Sequence, residues 1–264
     1  MDWPDTARLL TRDEAIRCQR RLVADNQTHA SEEYDKRHII AALKDWKLYA
    51  FCYMWMGNIT PLYAFSLFLP TILLGMGYEG TKAQLLSVPP YAVAVVLTIS
   101  VGFIADRLGR RGIFNIIFVL LAITGFSMLL GSANPHVQYG GTFLAAAGIY
   151  PTIPNSISWA ANNFEGLYKR GVIIGTIVGW GNIMGVISSN IYLSSESPRF
   201  WTGHGILLAW EVVFLLCGSI GLYIALGIEN KKRRNGERDH WLENKSQEDL
   251  RFMGDNRPDF IYTR

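Results

Sequence analysis

The chain has 264 residues, half of them hydrophobic, and a formal net charge of +3. So small a charge marks no nucleic-acid partner, and Cys18, Cys52 and Cys217 lie too far apart for a disulfide framework or a cysteine metal site. The average composition would suit a soluble protein too; the distinguishing feature is that charged residues crowd into the first 46 positions, the last 36 and a few short connectors.

Residues 1–46 are polar with nearly balanced charge, and the opening MDWPDTARLLTRDEA is too polar and acidic for a signal peptide. Thr11 and Glu14 have the spacing of a capping box, which predicts a short helix over about 12–25. A second amphipathic stretch, His38 to Lys44, leads into the apolar region. Both are expected to lie on the cytoplasmic face.

Six apolar stretches follow, at roughly 47–75, 86–105, 113–131, 138–160, 171–193 and 205–228. A helix needs about 20 residues to cross a bilayer, so the expected fold is an all-α membrane protein with a six-transmembrane-helix bundle over 47–228. Connectors 106–112 and 162–170 hold Arg107, Arg110, Arg111, Lys169 and Arg170, whereas the alternate connectors hold only Lys82 and Arg199. The tail, 229–264, adds Lys231, Lys232, Arg233 and Arg234 to the richer side. This bias predicts that both termini are cytoplasmic. The sequons at Asn26 and Asn244 then fall in the cytoplasm and that at Asn58 within a span, so none is expected to carry glycan.

The spans echo one another in threes. Spans three and six are mostly smooth and apolar. Spans one and four are interrupted by Pro61 and Pro70 and by Pro151 and Pro154, each pair near a mid-depth asparagine, Asn58 or Asn155. Spans two and five are rich in Gly, Pro or polar residues. Interrupted helices at matching positions are the sign of a transporter repeat and point to its binding site.

Asn58, Tyr63, Tyr150, Asn155 and Asn182 are therefore the candidate substrate-binding residues. Lipid cannot satisfy their polar groups, so they face the bundle, either to bond a substrate or to bond one another across packed helices. Gly175, Gly179, Gly181 and Gly185 around Asn182 read as packing devices. Glu211 is the one acid well inside a span, about six residues from its outer end; it reads either as a proton carrier or, as expected here, as an acid whose head reaches the interface. The histidines, His29, His38, His136, His204 and His240, fall in connectors or termini, and none sits at metal spacing. No nucleophile elbow, phosphate loop or paired carboxylates occur in the spans, so neither an enzyme nor a cofactor is expected.

Gly102-Phe-Ile-Ala-Asp106-Arg107-Leu-Gly109-Arg110-Arg111 resembles the signature at the cytoplasmic end of the second or eighth helix of the major facilitator superfamily. Further stretches resemble, within it, the fungal anion:cation symporter group that includes allantoate and nicotinate permeases. They are Tyr63 to Pro70, Gln84 to Tyr91, Ala147 to Pro151, Trp159 to Asn163, Gly179 to Asn182 and the tail Asp255 to Tyr262. The opening from Trp3 to Thr11 is similar to that group's central loop. The resemblance implies twelve helices in two halves, each a 3+3 repeat, with this chain matching only the C-terminal half. It implies alternating-access, proton-coupled transport of a small carboxylate (nicotinate-, pantothenate- or allantoate-like) across the plasma membrane, with an N-terminal six-helix half as partner. A non-transporting fragment, truncated or regulatory, that associates with a full-length relative is the alternative. It also implies a conformational latch: Asp106, within Gly102, Arg107, Gly109, Arg110 and Arg111, would meet Lys169, Arg170 and the start of the fifth span. The plainer reading is that these arginines only fix the topology.

Overall fold

A computed structural model describes residues 10–24, 35–243, 245–246, 249 and 253–264. Residues 3–9 of the opening match, His29 and the Asn26 and Asn244 sequons lie outside these. Among the described residues the secondary structure is helical, without strands.

Helix α1 spans Arg12–Ala24 and starts as its capping box predicts, with the Thr11 backbone N–H donating to Glu14 Oε2 at 2.9 Å. Helix α2 spans Lys36–Lys44, capped by Asp35, which accepts from the Arg37 N–H at 2.7 Å. One residue, Asp45, ends α2 and caps the next helix by accepting from the Lys47 N–H at 3.1 Å. Then come α3 (Trp46–Gly75), α4 (Gly80–Leu108), α5 (Arg111–Gly131), α6 (Pro135–Asn162) and α7 (Leu167–Ser188). The last rod is α8 (Trp201–Trp210), a π-helical turn over Glu211–Leu216, and α9 (Cys217–Arg234).

Five of these are long and apolar enough to cross a membrane: α3, α4, α5, α7 and the rod Trp201–Arg234. Helix α6, expected as the fourth span, has 28 residues but too much Gly, Pro, Thr, Asn and Ser to qualify by composition. It packs along α5 and α4, so neighbouring helices cover much of its polar sequence. Helix α7 lies along α3, and the π turn packs against α3 and α5.

The prolines interrupt less than the sequence predicts. Helices α3 and α6 run through Pro61 and Pro70 and through Pro151 and Pro154, and α4 runs through Pro89 and Pro90. Each proline removes one backbone donor, yet in an apolar medium the remaining peptide groups have no partner but the helix. Helix α4 stops where expected. Gly109 takes a left-handed φ of 61°, and its N–H closes on the Ala105 carbonyl at 2.9 Å.

Two further expectations are corrected. His204 is not in a connector but in α8, buried, with Nδ1 2.9 Å from the Tyr192 hydroxyl. Glu211 does not reach outward. It is 0% exposed, and neither carboxylate oxygen has a hydrogen-bond partner among the described residues. The π turn that begins at Glu211 packs against α3 and α5.

Candidate functional site

The five candidate polar residues separate into two sets. Asn58 and Asn155 are buried in one network. Asn155 Nδ2 donates to the Arg111 carbonyl at 2.8 Å and to Asn115 Oδ1 at 2.7 Å, and its Oδ1 accepts from Arg111 Nη1 at 3.4 Å. Asn115 and Asn58 both donate to Ser156 Oγ, at 2.8 and 3.1 Å. Asn58 Oδ1 is left without a partner among the described residues. The network ties α3, α5 and α6 together, and Asn155 has no donor left over for a ligand.

Tyr63, Tyr150 and Asn182 lie on a more open face. Tyr63 and Ser66, three residues apart, share one side of α3. Tyr63 donates to Asn182 Oδ1 of α7 at 3.0 Å, and Ser66 Oγ lies 2.7 Å from the Tyr150 hydroxyl of α6. Tyr91 of α4 meets the Tyr150 ring edge-on, with centroids 5.6 Å apart at 89°. A polar and aromatic line thus crosses α4, α6, α3 and α7. Beside it opens a cleft of about 460 Å³, lined by Leu62, Tyr91, Thr98, Tyr150 and Pro154 with apolar neighbours. Small-molecule sites are commonly apolar clefts of this size with a few convergent polar groups.

The line keeps donors to spare. Tyr63 occupies Asn182 Oδ1, and Asn182 Nδ2 has no hydrogen-bond partner among the described residues. Whichever of Ser66 and Tyr150 donates to the other, one hydroxyl hydrogen remains. These neutral donors can meet the oxygens of a carboxylate or carbonyl. The four glycines near Asn182 differ: a Cβ on Gly181 would collide with the Trp55 indole, while Gly175 and Gly179 have nothing within 4 Å. Close packing therefore explains Gly181 and not those two.

The latch residues also separate. Asp106 pairs with Arg111, five residues on, and keeps a 64% exposed side chain. It does not pair with Lys169, which binds Asp45 Oδ2 at 2.8 Å and Asp255 Oδ1 at 2.9 Å. Arg170 Nε donates to the Phe164 carbonyl at 3.0 Å. Gly102 has open space around its Cα, and Arg107 and Arg110 are exposed. Arg111 links the two proposed sites, since it holds Asp106 and Asn155 at once.

Sequence reasoning missed Ser66, Asn115, Ser156 and Tyr91 at these positions. Asn115 carried a signal, a lone amide in an otherwise apolar span. Ser66 carried one too, as the residue three after Tyr63 on the same helix face.

A bundle of long apolar helices, an open polar line and a glycine-ended basic motif define a multi-pass membrane protein of the transporter class. Residues 15–189 match the Major Facilitator Superfamily, and the chain belongs to that family. An uncharacterized transporter of Schizosaccharomyces pombe is 33% identical over 99% of this chain and 53% of its own length. The MFS transporter prlL of a fungus (Fungal sp.) is 32% identical over 88% of this chain and 47% of its own length. The high-affinity nicotinic acid transporter of Saccharomyces cerevisiae is 26% identical over 90% of this chain and 44% of its own length. The chain spans about half the length of the curated relatives it matches. No solved structure matches it.

Proposed function

We propose that this chain is the C-terminal half of a plasma-membrane carrier for a small organic anion, with both termini in the cytoplasm. The carrying observation is the line Tyr91–Tyr150–Ser66–Tyr63–Asn182, which offers unpaired neutral donors beside an apolar cleft. Such a site suits a planar or compact carboxylate, with the uncharged body in the cleft and the oxygens on the donors. A nicotinate-like acid has that shape, and the likeness to a nicotinic acid transporter supports the same class. Pantothenate- and allantoate-like acids share its chemistry. Tyr63, Tyr150 and Asn182 contact the substrate, while Asn58 and Asn155 hold the helices that carry them.

The only ionisable groups on the open line are tyrosines. The proton carrier that symport requires therefore lies off this line, in the N-terminal half or at the buried Glu211. That half covers the exposed apolar side chains of α4 and α7, such as Ile99, Phe103, Ile183 and Val186. Transport proceeds by rocking the two halves, and the Asp106–Arg111 pair within Gly102 to Arg111 biases which side is closed.

The test is co-expression. The chain is produced with the N-terminal six helices of the 33% identical Schizosaccharomyces pombe relative, in cells lacking their own carboxylate-vitamin carriers. Saturable uptake of labelled nicotinate, pantothenate or allantoate is expected with both halves and not with either alone. No uptake by any pairing that reaches the surface would favour a non-transporting fragment.

A further inference from the structure

Residues 253–264 return to the bundle where α3 and α7 begin and α6 and α9 end. Lys47 and Lys169, near the starts of α3 and α7, are both buried. Two like charges there need two counter-ions, because an unpaired buried charge is strongly destabilising. Asp45 supplies one, 2.8 Å from Lys169 and 3.5 Å from Lys47. The tail supplies the other: Asp255, 0% exposed, bridges Lys169 at 2.9 Å and Lys47. Lys47 and Lys169 are charge-balanced only while Asp255 is in place.

The rest of the segment is held by side chains of the bundle. Tyr262 accepts from Lys47 at 3.0 Å and from Arg233 at 2.6 Å, and donates to the Asp255 carbonyl at 3.0 Å. Its backbone exchanges two 2.8 Å bonds with the Asn230 amide. Arg233 Nη1 also donates to the carbonyls of Asp255, Arg257 and Phe260, at 2.9, 2.9 and 2.7 Å. Trp159 and Asn163, at the end of α6, donate to the Thr263 carbonyl at 2.9 and 3.0 Å. Four helices thus read one short peptide through its carbonyls, one carboxylate and one tyrosine.

We propose that Asp255–Thr263 is a docking strap, and that its seating in this socket decides whether the ends of α3 and α7 stay closed together. With the strap out, two buried lysines share one aspartate, and the ends must part or admit water. The inference stands apart from the substrate reading and requires only the packed bundle.

Cys52 is a built-in reporter, since it is buried in the same apolar cluster as Phe260 and Tyr262. With Cys18 and Cys217 changed to serine, the maleimide labelling rate of Cys52 is measured in the purified full chain. The same rate is measured in Asp255→Ala and in a chain ending at Met253. Labelling is expected to rise about a hundredfold in both, and a synthetic peptide of residues 253–264 should restore slow labelling to the shortened chain. Rates within about twofold of the parent, or no restoration by the peptide, would overturn the proposal. Loss of helical circular dichroism in either variant would overturn it too, because the segment would then belong to the core rather than dock on it.

Discussion

Arg111 and Asn155 hold each other by two opposed hydrogen bonds. The asparagine amide donates to the arginine carbonyl at 2.8 Å, and the guanidinium donates back to the asparagine oxygen at 3.4 Å. The pair joins the start of α5 to α6 and puts the basic motif in contact with the buried amide network. Asn155→Ala should orphan Asn115 Oδ1 and take the acceptor from Arg111 Nη1, while the Arg111 carbonyl keeps its intrahelical bond in α5. The expected cost is about 1–3 kcal/mol for each buried group left unpaired. Denaturant unfolding of the purified chain in detergent checks this, and an unchanged midpoint would mean that the network adds nothing to stability.

Asp106 behaves differently because it is mostly exposed. Asp106→Asn removes one partner of the Arg111 ion pair, which at such exposure should cost no more than about 1 kcal/mol of stability. Transport by the paired halves should nonetheless fall several-fold if the Asp106–Arg111 contact forms in only one access state, since only differential interactions shift populations. Surface abundance and maximal uptake rate measured together decide the matter. Parent-level transport at normal abundance would reduce the motif to a topology anchor.

The helices were legible in the sequence where hydrophobic length speaks for itself, and the stop at Gly109 and the start at Thr11 followed from local chemistry. The site was less so. Sequence placed Asn58 and Asn155 with Tyr63, Tyr150 and Asn182 because all are polar at similar depth. Which helix face each occupies depends on how α3, α6 and α7 turn against one another, and depth alone does not encode that. Sequence matches Lys169 to Asp106 for the same reason: both lie at the same end of the bundle. Its actual partner Asp255 is 86 residues away in sequence, a pairing no local pattern announces.

The tail socket should open in acid. Burial pushes the Asp255 carboxyl up, but Lys47 and Lys169 outweigh it and hold the group below its ordinary value. A depressed folded-state value contributes stability above the unfolded value and loses it as pH falls through the depressed one. Undocking should therefore begin only below the ordinary carboxylate range of about 4. Hydrogen exchange at the Tyr262 amide, which donates to Asn230 at 2.8 Å, reports it after correction for intrinsic rates. Loss of protection already near neutral pH would contradict the ion-pair account.

Orientation follows from the basic connectors. A cysteine replacing Ala133, between α5 and α6, should react with a membrane-impermeant reagent on intact cells. One replacing Glu237, just beyond α9, should react only after permeabilisation. The reverse pattern would invert the chain.

The claim that the open line binds the substrate is tested most directly by uptake across substrate concentrations in the paired-half system, parent against Asn182→Ala. The substitution removes the unpaired amide donors on an exposed position and, with them, the exposed Tyr63–Asn182 bond, but disturbs no buried bond. The apparent KM should rise about tenfold, the equivalent of one charge-assisted hydrogen bond of about 1.4 kcal/mol, with maximal rate and surface abundance unchanged. An unchanged KM in Asn182→Ala, together with an unchanged KM in Tyr150→Phe, would show that the substrate binds elsewhere.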